Sequence, residues 1–64
     1  MIDGFYLYIF GDCVGYIESD IIPKEHDVIT YEDKDYNVVT VKHIIEKDKY
    51  FKQHIKYINI YAII

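Results

Sequence analysis

Two runs of strand-like residues, Asp27–Tyr31 and Tyr36–Ile45, flank the polar stretch Glu32-Asp33-Lys34-Asp35. Val, Ile, Thr and Tyr crowd both runs, and their branched or aromatic side chains suit a pleated, half-buried surface better than a helix. The pattern predicts a central hairpin. Upstream, Gly4–Phe10 places Phe5, Leu7 and Ile9 on one face and Tyr6, Tyr8 and Phe10 on the other, so both faces of this first strand are apolar. Gly11-Asp12 is a two-residue turn of the Gly-X type, which leads into a second strand, Cys13–Ser19. Gly15 inside that strand predicts a bulge or a sharp bend.

Ser19–His26 reads as a connection, with Ile21 and Ile22 expected to plug one end of the core and Pro23 to end the pairing. The Tyr36–Ile45 strand changes phase: Tyr36 and Val38 share one parity, while Val39, Val41, His43 and Ile45 take the other. Keeping both Val38 and Val41 inward requires one extra residue, a bulge at Val39-Thr40. Glu46–Gln53 is polar apart from Tyr50 and Phe51 and reads as a loop or one helical turn. In the last run, His54–Ile64, Ile58, Ile60, Ala62 and Ile64 alternate with Tyr57, Asn59, Tyr61 and Ile63. A helix from about Ile44 to Ile58 is the rival reading, but it puts Asp48 in the apolar stripe and ignores the later alternation. The expectation is a single domain, residues 1–64, that is all-β: a small five-stranded antiparallel barrel of the SH3-like kind, with a loop or short helical turn at 46–53.

Ile22-Pro23-x-x-x-Asp27-x-Ile29, then Tyr36-x-Val38-x-x-Val41-x-His43, then the Ile/Tyr-alternating end, resembles a pattern in small reading frames of bacteriophages and mobile elements. The resemblance spans roughly the last two thirds of the chain and implies an SH3-like barrel of viral or mobile-element origin. It carries no catalytic residues. His26 stands where that pattern has Gly, so a left-handed turn there would fall to His, which tolerates that conformation better than most residues.

A chain of 64 residues buries only about 60% of its unfolded surface, so with 17% aromatic content, mostly eight tyrosines, either the core is unusually aromatic or some rings cover a second surface such as a dimer or partner contact. The net charge is -4, and all seven bases are Lys. Without Arg, bidentate readout of phosphates and bases is lost, which argues against a sequence-specific nucleic-acid binder. The balance suits a basic partner instead, such as a nucleic-acid-binding protein. A lone Cys13, an acidic start without a basic leader and the lack of a long apolar run place the expected location in the cytoplasm, the host's if the chain is viral.

Candidate chemistry is sparse. Cys13 with His26, His43 or His54 lacks any nucleophile motif, and a structural thiol accounts for it more simply. The same residues lack the close pairing of zinc ligands, so no metal or cofactor is expected. His43 reads as a core or barrel-mouth histidine. Glu32, Asp33 and Asp35 lack the Gly and distal Glu of a calcium loop and read as a solvated hairpin tip. Tyr6, Tyr8, Tyr57 and Tyr61 fall opposite the best core candidates and are expected to form, with Glu32, Asp33 and Asp35, a protein-binding surface. Curvature of the barrel could bury several of these rings instead. The expected function is that of a small non-enzymatic, phage-type accessory protein that binds and inhibits or adapts a host protein, acting as a homodimer. The alternative is an oligomer that sequesters a nucleotide-like small molecule, with Tyr rings stacking on bases and Lys24, Lys42 or Lys56 meeting phosphates.

Overall fold

The computed structural model describes residues 3–50 and 53–64. Five strands follow in order: β1 Gly4–Ile9, β2 Asp12–Glu18, β3 Val28–Tyr31, β4 Lys34–Lys47 and β5 His54–Ile63. They form one sheet in the order β2-β1-β5-β4-β3, curled into a half-barrel. The expected all-β class holds, and the C-terminal third is strand rather than helix. The orientation needs correction: β1 and β5 run parallel, with Tyr6 opposite Asn59 and Ile9 opposite Ala62, so the sheet is mixed. The helical turn considered for 46–53 is also corrected. Glu46 and Lys47 continue β4. The Tyr50 amide donates to Asp48 Oδ1 at 2.8 Å in a tight turn, while Phe51 and Lys52 lie outside the described residues.

The β1–β2 and β3–β4 hairpins close on two-residue turns. Phe10 and Gly11 (φ 50° and 86°) join β1 to β2, one residue earlier than the Gly11-Asp12 turn expected from sequence. Glu32 and Asp33 (φ 49° and 66°) join β3 to β4, so Lys34 and Asp35 belong to the strand. Positive φ at both central residues matches the right-handed twist of the flanking strands. The bulge at Val39 is present: Val38 faces Ala62 and Thr40 faces Tyr61, leaving Val39 as the extra residue. A second bulge lies in β2, where Leu7 faces Gly15 and Tyr8 faces Cys13, making Val14 the extra residue. Gly15 adopts φ 138°, a conformation that a side chain strongly disfavours.

β2 and β3 sit at opposite ends of the strand order, four strand spacings or roughly 19 Å apart if the sheet were flat. The intervening segment curls them toward one another. It is pinned at its start by Ser19 N–H donating to Asp3 O (2.9 Å) and at its end by His26 N–H donating to Val38 O (2.9 Å). His26 takes the left-handed conformation (φ 78°) that the phage-type pattern assigns to Gly. Ile22 packs against the core as expected, whereas Ile21 is 80% exposed; only one of the two plugs the barrel.

The core lies inside the curl. Phe5 and Leu7 of β1, Ile60 and Ala62 of β5, and Tyr36 and Val38 of β4 are buried there, with Ile17, Ile29, Val41 and Ile58 packed around them. Period-two alternation therefore sends the intervening residues of β1, β4 and β5 to the outer face.

Candidate functional site

The outer face of β2, β1 and β5 carries a continuous group of tyrosines. Tyr6 sits beside Tyr16 with ring centroids 5.1 Å apart and beside Tyr57 at 6.0 Å, both edge-to-face. Tyr8 stacks on Tyr61 at 4.8 Å. These arrangements suit the quadrupoles of the rings. The four tyrosines expected from sequence thus share one face. Tyr6 and Tyr16 are exposed, and Tyr8, Tyr57 and Tyr61 are half-buried, so curvature does not bury the group.

Tyr16 was not legible as a member. The β2 bulge at Val14 sets its register opposite Tyr6, and its ring lies over Gly4. A Cβ at residue 4 would run into the Ile17 carbonyl and come within 2.6 Å of the Tyr16 hydroxyl oxygen. Gly4 therefore makes room for the Tyr16 ring.

A groove of about 550 Å³ opens in this face, lined by Tyr6, Tyr8, Tyr16, Tyr57, Ile55 and Asn59, with Lys56 at its side. Its origin is a fork in the sheet. Pairing of β1 with β5 begins at Tyr6 and Asn59, whereas β4 and β5 stay paired beyond it to Lys47 and His54. Below Asn59 the sheet narrows to the β4–β5 arm, and the rings of β1 and β2 stand across the gap from those of the arm.

Asn59 is the residue that sequence reasoning left unassigned. It is 6% exposed, sits at the fork, and faces Tyr6 on one side and Lys42 on the other. Its Nδ2 donates to the Tyr61 hydroxyl at 3.4 Å. Its Oδ1 is buried and finds no hydrogen-bond partner among the described residues. Buried polar atoms nearly always have partners, so an orphaned one calls for an explanation. The available signal was the lone amide within Tyr57-x-Asn59-x-Tyr61.

Charges at the groove are mixed. Lys42 Nζ lies 5.3 Å from the Tyr61 ring centroid, within cation–π range. The Tyr57 hydroxyl donates to Glu46 Oε1 at 2.9 Å. That bond to the carboxylate, followed by partial burial, raises the Tyr57 pKa. Partial burial and then the nearby Cys13 thiol raise that of Tyr8.

The acidic tip is elsewhere. Glu32, Asp33 and Asp35 are exposed, and Asp35 Oδ1 accepts from Thr30 Oγ1 at 2.7 Å. Asp33 precedes Thr40, the residue opposite Tyr61, by seven positions on the chain, roughly 23 Å along a straight strand. One partner touching both must be extended. His43 is exposed rather than a core histidine, lining a shallow depression with Ile22, Pro23 and Val41. Cys13 is also exposed. Among the described residues, no three His, Cys, Asp or Glu side chains gather into a metal cluster.

No protein-family model matches the chain, and neither a curated protein nor a solved structure is significantly similar to it.

Proposed function

We propose that this chain is a small non-enzymatic binding module of the phage-type, SH3-like kind, whose tyrosine face is covered by a host protein in the cytoplasm. The observation that carries this reading is the joining of Tyr6, Tyr8, Tyr16, Tyr57 and Tyr61 into one outward group. Tyrosine supplies large contact area with little rotamer entropy to lose, which is why such residues concentrate at interface hot spots. The Glu32–Asp35 tip serves as a separate steering charge toward a basic partner. Binding of this kind inhibits or adapts the partner without any chemistry by the module. A homodimer would present two such faces.

The test is retention of a host protein by immobilised chain, with Tyr57→Ser/Tyr61→Ser as the comparison. Two hot-spot losses of about 2 kcal/mol each lower affinity roughly a thousandfold. Circular dichroism checks that the variant stays folded. Undiminished retention by a folded double variant would remove the tyrosine face from the interface.

A second reading, sequestration of a nucleotide-like small molecule, is favoured by a specific feature: the groove has a buried polar floor at Asn59 and lysines beside it. A flat protein footprint has no need of that floor. Both occupants would use the same groove, so a bound nucleotide would displace the protein.

A further inference from the structure

We infer that the groove over Asn59 recognises a nucleobase bearing an exocyclic amino group, as in an adenosine mononucleotide. The base stacks on the tyrosine rings, its amino group donates to Asn59 Oδ1, and Lys42 meets the phosphate. This rests on the small-molecule reading above and specifies its ligand.

Three independent features converge. The first is the orphaned Oδ1 of Asn59, a residue of the groove lining; the atom lies buried beneath the groove, and none of the described residues donates a hydrogen bond to it. The missing partner is therefore an N–H or O–H group from outside. The second is the wall material. Planar heterocycles stack on tyrosine, and base–aromatic stacking contributes about 1–3 kcal/mol per base. The groove, at about 550 Å³, falls in the range of small-ligand sites, roughly 300–1,000 Å³. The third is local charge. Lys42 is the cross-strand neighbour of Asn59 and Lys56 lies at the groove's side, while the Glu46 carboxylate is engaged by the Tyr57 hydroxyl, so an anion is favoured on the Lys42 side of the base. The same lysines disfavour a cationic side chain, such as an arginine of a protein partner, as the missing donor.

Oδ1 is covered in the unliganded chain, so the ligand must displace a neighbour. Tyr6 and Lys42, which flank Asn59 across the two ladders, are both exposed. Exposed side chains change rotamer in picoseconds to nanoseconds, so these two neighbours can swing aside quickly. A free mononucleotide fits better than a strand of nucleic acid. A polymer's phosphates require a track of basic residues, and the chain as a whole is at -4 with no Arg.

Calorimetric titration of the full chain with AMP, and with the monophosphate of purine riboside, tests the inference. The second ligand keeps the ring and the phosphate but lacks the amino group. AMP should bind about tenfold more tightly, the equivalent of one hydrogen bond to a buried acceptor. Asn59→Leu should bring that ratio to about one. Lys42→Ala should weaken AMP while leaving adenosine, which has no phosphate, unchanged. The wild-type comparison needs no variant, so a misfolded Asn59→Leu leaves the test intact. Equal affinity for the two monophosphates would overturn the amino-group recognition while leaving the small-molecule reading in place. No binding of either would remove both. Tighter binding of an adenylate oligomer than of AMP, per site, would replace the free nucleotide by a strand.

Discussion

Replacing Asn59 by Leu should make the protein more stable, an unusual expectation for a buried position. Asn and Leu have similar branching, so the change leaves little void. The amide loses one hydrogen bond, Nδ2 to the Tyr61 hydroxyl, but at 3.4 Å this lies beyond the usual range of about 2.7–3.2 Å. Its contribution belongs at the lower end of about 0.5–1.5 kcal/mol. Tyr61 is only half-buried, so its hydroxyl turns to water. Against this stands removal of an orphaned acceptor, which costs about 1–3 kcal/mol while it remains buried. Apolar atoms in its place add favourable burial. The net gain is about 1–2 kcal/mol. In a domain of this size, each kcal/mol moves the melting temperature by about 4–8 °C. Urea denaturation provides a second measure, with the midpoint rising by about 1–2 M at an m value near 1 kcal/mol/M and m itself unchanged. A lowered melting temperature would mean that the amide is structurally satisfied, and the case for an outside donor would collapse with it. The same variant should lose discrimination between AMP and its amino-free analogue. Greater stability with lost recognition is the trade expected at a site built for a ligand.

Two other perturbations examine the framework of the face. Gly4→Ala drives a methyl into the Ile17 carbonyl and the Tyr16 hydroxyl, so overpacking should cost about 1–3 kcal/mol in thermal unfolding; an unchanged melt would show that Tyr16 does not rest on Gly4. The raised pKa values of Tyr8 and Tyr57 fix a sign for alkaline behaviour, because the folded state favours the neutral phenols. Their contribution is fully present below the unfolded value of about 10 and is lost as pH climbs through the folded values. Tyrosinate absorbance should accordingly show Glu46→Gln lowering the Tyr57 titration toward the ordinary value, and an unmoved titration would refute the Tyr57–Glu46 bond.

Much of the fold was legible because side-chain parity reports directly on which face a residue takes. The Val39 bulge is the clearest case: inward Val38 and inward Val41 cannot coexist in an unbroken strand. The Phe5/Leu7 and Ile58/Ile60/Ala62 core faces followed from the same rule. What parity cannot report is partner or direction. Nothing within Gly4–Ile9 says that its neighbour is β5, or that the two run parallel; this follows from the curl that brings the chain's two ends together. The polar stretch Glu46-Lys47 suggested an end to the strand because polar residues usually mark loops. Here they lie on the two-stranded arm beyond β1, where water reaches the ladder and polarity is compatible with strand. Adjacent Ile21 and Ile22 have the same chemistry, and only the path of the connection decides which one turns inward. The tyrosine group was half legible: Tyr6, Tyr8, Tyr57 and Tyr61 by parity, but not Tyr16, whose register depends on Val14. Asn59 could be read as a residue on the tyrosine face, but its missing donor exists only in three dimensions.

The fork at Asn59 links these departures to one another. Pairing of β1 with β5 stops at Tyr6 and Asn59, and the groove opens beside that end of the ladder. Parting the strands gives up ladder contacts and exposes Ile55 and Tyr57 along the gap. It also places a buried amide at the last paired position, where a hydrocarbon side chain would be more stabilising. Each feature alone is a modest cost to folding, of the kind that accumulates without purpose in a tolerant surface. Their coincidence at one point is harder to attribute to tolerance. Local rules that stabilise a sheet are broken together where an acceptor, aromatic walls and Lys42 converge, and sequences specify folds most consistently away from functional sites. In the proposed complex, the ladders on either side of Asn59 would hold it in place beneath a flat ligand.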